Sequence, residues 1–254
     1  MQKLGFVGLG MMGRPMVENL SRIGEWELKI YDHAPEQVQS FSFHPRWGKS
    51  LLGAASLRDF ADCEAVITML PNSAITNQVA LSLAEMLPAG ALLIDMGSSN
   101  PMETMKLAEQ LAAKDIDLLD APVSGAVVKA QSGSLTIMVG GKPTAVEKAQ
   151  LVLEKMGSKI IPTGGVGSAH AMKALNNYVY AAGLLAASEA LLIADRMQLD
   201  KEIFTDVLNA SSGKNIATET KLRQFIISET FNGGFALRLQ AKDLDTADAL
   251  RTHT

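Results

Sequence analysis

Two short stretches hold residues whose types and spacing could do chemistry. The first is Met172 to Tyr178, MKALNNY, inside SAHAMKALNNYVYAAGLLAASEALLIADRM, a run otherwise almost all Ala, Leu, Ile, Gly and Val. Such a run should form a buried helix, and a buried helix has little use for a lysine and two asparagines. Lys173 and Asn177 stand four residues apart and so share one helix face, with Asn176 about 100° further round. A lysine whose pKa is lowered by burial or a nearby cation can exchange a proton with a reacting hydroxyl. An amide cannot titrate, but it can orient the lysine or hold the hydroxyl. On type and spacing alone, a solvated lysine at a helix start stays equally open.

The second stretch is VGLGMMG, with Gly8, Gly10 and Gly13 in G-x-G-x-x-G spacing. It follows an apolar strand pattern and opens a helical one, and Asp32 ends the next strand pattern about 20 residues on, the full dinucleotide fingerprint. Gly8 permits the tight turn, Gly10 lets backbone approach a pyrophosphate, and Gly13 lets helix and strand pack closely. The backbone of this turn, Leu9, Met11 and Met12 included, offers N–H groups and the positive end of a helix dipole to phosphate. Asp32 would accept hydrogen bonds from the adenosine ribose and repel a 2′-phosphate, so the expected cofactor is NAD rather than NADP.

These residues need elements to position them. LGFVGL, LKIYD, AVITML, ALLIDM, IDLLD and LTIMVGG read as strands. MMGRPMVENLSRIG (ending at Gly24), NSAITNQVALSLAEML, PMETMKLAEQLAAKD and PTAVEKAQLVLEKMG read as helices. The alternation predicts an α/β fold of Rossmann type, a doubly wound and mainly parallel sheet. FSFHPRWGKSLLGA reads as an irregular loop. After KIIPTGGVG no strand pattern recurs. One helix of roughly 30 residues, ~45 Å at 1.5 Å per residue, is followed by shorter ones. The expected division is a dinucleotide-binding domain over 1–163 and an all-helical domain over 164–254.

Bulk properties narrow the class. The chain has 254 residues, 47% hydrophobic and 20% charged, with a formal net charge of -4. It is globular, with no electrostatic footprint for nucleic acid or a membrane surface. The single cysteine, Cys63, allows no internal disulfide and suits a reducing compartment. MQKLGFVGLG lacks the form of a signal peptide, and the longest apolar run is broken by Lys173, Asn176, Asn177, Glu189 and Asp195. A cytoplasmic protein is expected. The four histidines show no metal-ligand spacing, so no metal is expected.

GFVGLGMMGRPMVENL closely resembles the signature of the 3-hydroxyisobutyrate dehydrogenase (β-hydroxyacid dehydrogenase) family. DAPVSGAVVKAQSGSLTIMVGG, GGVGSAHAMKALNNY and FALRLQAKDL resemble its later motifs, in order, over nearly the whole chain. The resemblance implies hydride transfer between NAD(P) and a small β-hydroxyacid or its semialdehyde in a cleft between the domains. It places the family's lysine at Lys173, as base in oxidation and acid in reduction, and its asparagine at Asn177. It places the substrate carboxylate at Ser124 and Gly125, with Ala126 where the family commonly has a second glycine. Leu70 and Pro71 match a loop along the cofactor. Gly97 and Ser98 stand where the family has serine-threonine near the nicotinamide; Ser98 keeps the hydroxyl and Gly97 departs. Lys242 matches a lysine reaching the nicotinamide side, and Ser211, Ser212 and Gly213 a segment near the substrate, although helix capping explains those three as well. The family continues further after KDL, so the helical domain reads as shortened, with apolar faces that invite a homodimer or homotetramer. The alternatives are a silent nucleotide-binding module on the same scaffold, disfavoured by Lys173 and Lys242, and an imine reductase-like enzyme, disfavoured by Lys173.

Overall fold

The computed structural model of the protein describes residues 1–22 and 25–251. The strands are β1 (Lys3–Val7), β2 (Glu27–Tyr31), β3 (Leu51–Gly53), β4 (Ala65–Thr68), β5 (Leu92–Asp95), β6 (Asp117–Asp120), β7 (Val123–Ser124), β8 (Leu135–Gly140) and β9 (Gly157–Gly164). The helices are α1 (Gly13–Ser21), α2 (Pro35–Gln39), α3 (Ser73–Ala84), α4 (Pro101–Ala112), α5 (Ala126–Gln131), α6 (Pro143–Glu154), α7 (Ser168–Arg196), α8 (Lys201–Ala210), α9 (Ile216–Thr220) and α10 (Leu237–Arg251). The chain resolves into two compact units, Met1–Lys173 and Ala174–Thr254.

Unit one is a doubly wound sheet in the order β3-β2-β1-β4-β5-β6-β8-β7, with β9 beside β8. The first six strands in that order are mutually parallel, and β8 runs antiparallel to β6 and β7. Alternation along the strands builds two cores. Leu4, Phe6, Ile67, Leu92 and Ile94 face one cluster with Met16 and Leu20 of α1 and Val152 and Leu153 of α6. Val7, Val66 and Leu93 face the other, with Leu83 of α3 and Leu107 and Leu111 of α4. Burial on both faces is why these strands read as nearly unbroken apolar runs. The strand order reverses between β1 and β4, and such a switch point opens a crevice at the C-terminal strand ends.

Three strands escaped the sequence reading, each for a local reason. β3 lies inside the presumed loop Phe41–Ala54, but only Leu51–Gly53 pairs, in parallel, with β2. β7 is two residues long. β9 carries Pro162 and pairs only with β8, the edge position at which proline is tolerated. The short helices α2 and α5 were missed too, having only five and six residues. Gly24, the expected end of α1, lies outside the described residues; α1 itself ends at Ser21.

Unit two consists, among its described residues, of helices joined by irregular connections, with no strand. Asp200 accepts from the N–H groups of Glu202 and Ile203 to cap α8, and Asn215 from those of Ala217 and Thr218 to cap α9. Its core is small, Ala187, Leu191 and Leu222 with Phe204, Leu208, Ile226 and Ile227 packed on it. The long helix α7 has 29 residues, close to expectation, but it is not the buried helix expected. Leu175, Tyr178, Val179, Leu185, Leu192 and Ile193 are all exposed. By length and composition alone α7 is long and apolar enough to cross a membrane. Its apolar residues are spread around the whole circumference, so packing on one side buries Ala169, Ala174, Ala187, Leu191 and Ala194 and leaves most of the larger ones exposed.

Candidate active site

The glycine turn follows β1 at the switch point. Gly8 has φ +103°, and a Cβ there would lie 2.4 Å from the Met69 carbonyl oxygen, so only glycine fits. A Cβ on Gly13 would stand 1.9 Å from the Gly8 carbonyl oxygen. A Cβ on Gly10 would meet nothing within 4 Å. The turn is thus closed by protein at its first and third glycines and open at the second, as a pyrophosphate cradle requires. In the first turn of α1 the Arg14 N–H donates to the Gly10 carbonyl oxygen at 3.0 Å, and Pro15 has no N–H to satisfy. The residues present fit a dinucleotide.

Asp32 proves to be part of the turn itself. Its Oδ2 accepts from the Leu9 N–H at 2.6 Å, and its Oδ1 from the Ala34 N–H at 2.9 Å. Each oxygen keeps a lone pair for a ribose hydroxyl, and the charge is held in place. The loops after β4 and β5 converge on the same edge. The Leu70 side chain would come within 3.2 Å of a Cβ on Gly8, and the Leu70 carbonyl oxygen within 2.9 Å of one on Gly97. Pro71, next along that loop, is exposed, and Ser98 is half-buried.

Ser124 ends β7, paired with Thr136, and Gly125 turns the chain at φ +135° into α5. Ala126 then takes φ +55°, the left-handed region in which a Cβ is strained. The alanine therefore does more than reduce backbone freedom: it sits in a conformation that suits glycine.

The first turn of α7 is bolted to the sheet by a carboxylate that the sequence reading did not single out. Asp120, fully buried at the end of β6, accepts from the N–H groups of Gly167 and His170 at 2.8 and 2.9 Å. Two orphan donors at a helix N-terminus are thus met by one anion, favoured also by the dipole. Lys173, half-buried, lies one turn beyond His170.

Unit two holds the remaining expected residues. Asn177 is 8% exposed, while Asn176 and Tyr178 are exposed. The Asn177 Nδ2 donates to Asp243 of α10, and its carbonyl oxygen accepts from the Gln240 amide at 3.1 Å. Lys242 Nζ lies 3.3 Å from Asp243 Oδ1. Asn176 Nδ2 donates to Asn177 Oδ1 at 3.2 Å. Asp243 is therefore the residue that fixes the Asn177 amide, and only its place in KDL pointed to it. Ser211, Ser212 and Gly213 form an exposed connection in which Ser211 is the C-cap of α8, its N–H donating to the Leu208 carbonyl oxygen, while the N-cap of α9 is Asn215.

Two family models match consecutive parts of the chain. The NAD binding domain of 6-phosphogluconate dehydrogenase matches residues 3–165, and the NAD-binding domain of NADP-dependent 3-hydroxyisobutyrate dehydrogenase matches residues 167–253. The chain is 34% identical over 261 residues to the mitochondrial 3-hydroxyisobutyrate dehydrogenase of Mus musculus, covering 99% of this chain and 76% of the mouse protein. The chain belongs to the 3-hydroxyisobutyrate dehydrogenase family. It is also 36% identical over 250 residues to the 2-(hydroxymethyl)glutarate dehydrogenase of Eubacterium barkeri, with 96% and 81% covered. The fold matches a solved 3-hydroxyisobutyrate dehydrogenase of Mycobacterium tuberculosis with L-serine, at TM-score 0.90 and 29% identity, over 100% of this chain and 88% of that one. This member of the 3-hydroxyisobutyrate dehydrogenase family is an oxidoreductase of small hydroxyacids that uses a nicotinamide dinucleotide.

Proposed function

We propose that the protein is an NAD-dependent dehydrogenase of a small β-hydroxyacid, or in reverse a semialdehyde reductase, with Lys173 as its proton-transfer group. The observation that carries this reading is the anchoring of the first turn of α7 by Asp120. That bond starts the lysine-bearing helix at the C-terminal strand ends, the edge that also holds the glycine turn.

The nicotinamide ring supplies the acceptor or donor of hydride. The chain supplies the rest. The N–H groups of Gly8 and Leu9 are taken by the Tyr31 carbonyl oxygen and by Asp32, so the backbone from Gly10 to Gly13 takes the phosphates, and Leu70, Pro71 and Ser98 flank the nicotinamide end. Asp32, fixed by the Leu9 and Ala34 N–H groups, takes the ribose hydroxyls. A carboxylate so held cannot turn away from a 2′-phosphate, which supports NAD over NADP. Ser124 and the N–H groups of Gly125 and Ala126 take the substrate carboxylate. Lys173 Nζ receives the hydroxyl proton in oxidation and returns it in reduction. Asn177, its amide oriented by Asp243, supports the same hydroxyl, and Lys242 stands beside Asp243 on α10. The exposed apolar residues of α7 support assembly as a homo-oligomer, and the lone cysteine supports a cytoplasmic setting.

The test follows absorbance of reduced nicotinamide with a panel of β-hydroxyacids, offering NAD and NADP separately. Turnover with NAD is expected, and Lys173→Ala should lower kcat by roughly 10²- to 10⁴-fold, the range of a lost general acid–base, with NAD affinity unchanged. Retained turnover in that variant would remove Lys173 from the role. A clear preference for NADP would overturn the reading of Asp32.

A further inference from the structure

His170 is 1% exposed, and its Nε2 has no hydrogen-bond partner in the protein. It sits one turn before Lys173, between two buried carboxylates. Its backbone N–H donates to Asp120 at 2.9 Å. Its Nε2 points toward Asp95, with 3.7 Å to Oδ2. Its Nδ1 lies 2.9 Å from the Thr104 hydroxyl on α4.

The ring hydrogen can be placed from these partners. The hydroxyl of Thr104 has a single hydrogen and two acceptors in reach, His170 Nδ1 and the Asn100 carbonyl oxygen at 3.0 Å. That carbonyl already accepts the Thr104 backbone N–H at 3.0 Å. A hydroxyl hydrogen given to Nδ1 leaves the ring hydrogen on Nε2, aimed at the carboxylate. The opposite tautomer would set a bare Nε2 lone pair against Asp95 in a buried site, where repulsion is weakly screened.

Asp95 organises the segment after β5. Its Oδ1 accepts from the Gly97 N–H at 3.0 Å and from the Thr68 hydroxyl at 3.2 Å, and its Oδ2 from the Ser99 hydroxyl at 2.6 Å. Residues 97–100 include Ser98 of the proposed nicotinamide loop.

We propose that His170 is a positioning residue that ties the start of the lysine helix to the cofactor loop, through Nδ1 to Thr104 and through Nε2–H to Asp95. It acts through Lys173 and the 97–100 segment and does not touch substrate, so it rests on the proton-transfer reading of Lys173. Contact at 3.7 Å is longer than a hydrogen bond, and loading of the 97–100 segment by cofactor draws it to bonding distance, as sites loose without ligand tighten with it.

The test has two arms. Long-range proton–nitrogen correlation spectra of the parent protein, labelled at histidine and free of cofactor, should show the His170 hydrogen on Nε2 and a bare Nδ1. Adding NAD should shift the Nε2–H proton downfield. A bare Nε2, or a resonance that NAD leaves unmoved, overturns the tie. In kinetics, His170→Leu should lower kcat by about tenfold, the scale of a small misplacement of a reacting group, with NAD affinity held within about threefold. His170→Gln, whose amide can both accept from Thr104 and donate to Asp95, should recover most of that loss. Equal kcat in parent and His170→Leu, or equal loss in both variants, overturns the positioning role. Turnover retained by Lys173→Ala sinks the lysine role and with it the purpose given to His170. A bare Nε2 sinks the tie alone, so the two failures are read apart.

Discussion

Alanine placed at Gly10 and alanine placed at Gly13 should part company, although the two glycines stand three residues apart in one turn. At Gly13 the new Cβ would lie 1.9 Å from the Gly8 carbonyl oxygen, about 1.5 Å inside ordinary van der Waals separation. The obstacle is backbone, so no rotamer relieves it and the turn must open. We expect a loss of about 3 kcal/mol, the upper end for overpacking, or about 6–12 °C in Tm at 2–4 °C per kcal/mol. At Gly10 the Cβ meets nothing within 4 Å, and φ is not in the left-handed region. There alanine should leave the fold unharmed, or stabilise it by about 0.4–1 kcal/mol through the unfolded chain. Its methyl group fills the cradle instead. Displacing one charge-assisted hydrogen bond to phosphate costs about 1.5–3 kcal/mol, so NAD affinity should fall at least about tenfold. Thermal unfolding by circular dichroism, with and without NAD, separates the two, because the ligand-induced rise in Tm reports affinity. Calorimetric titration gives the affinity directly. A Gly13→Ala protein as stable as the parent, or a Gly10→Ala protein that binds NAD like the parent, would refute the assignment of cradle and closure.

Two further outcomes follow from strain and charge. Ala126→Gly should relieve the left-handed φ of +55°, worth about 1–2 kcal/mol, less the extra freedom of the unfolded glycine chain. A net gain of about 0.5–1 kcal/mol is expected in urea unfolding, and a loss would contradict the strain. Hydrogen bonds first from Lys29 and then from Lys3 hold the Asp62 carboxyl down at about 2, below its ordinary 3.8. A folded-state pKa below the unfolded one stabilises above the unfolded value and is lost as pH falls through the folded one. Asp62 is 46% exposed in its side chain, so solvent screening limits the effect to below about 1 kcal/mol. The stability gap between parent and Asp62→Asn should be constant from pH 5 to 8 and shrink from about pH 4 toward pH 2; a gap that widens on acidification would contradict the pairing.

Much of the α/β unit could be read from the chain because its constraints are local. The glycine spacing of the first turn, apolar runs of strand length and proline at the start of α4 and α6 each report on a few consecutive residues. So does the long proline-free run that makes α7. What stayed hidden is built from pairs distant in sequence. Asp120 meets Gly167 and His170 across 47 and 50 residues, Thr104 meets His170 across 66, and Asn177 meets Asp243 across 66. An aspartate at a strand end carries no local mark of the helix it will cap. The exposure of α7 was misread for a related reason: apolar composition shows a wish for burial, and only the packed neighbours decide how much is granted. Ala126 was recognised as a departure from its family, but the positive φ that gives the departure a physical meaning exists only in three dimensions.

Gly97 imposes a constraint on the loops around it. The missing side chain has been taken up by its surroundings: a Cβ there would stand 2.9 Å from the Leu70 carbonyl oxygen and 3.1 Å from Asp95 Oδ1. A side chain placed at this position would therefore push on the loop after β4 and disturb the carboxylate that gathers Thr68, Gly97 and Ser99. A larger residue is not a neutral option at Gly97 in this background. The loops after β4 and β5 are thereby interlocked at a single position, and neither can be reshaped there without the other giving way.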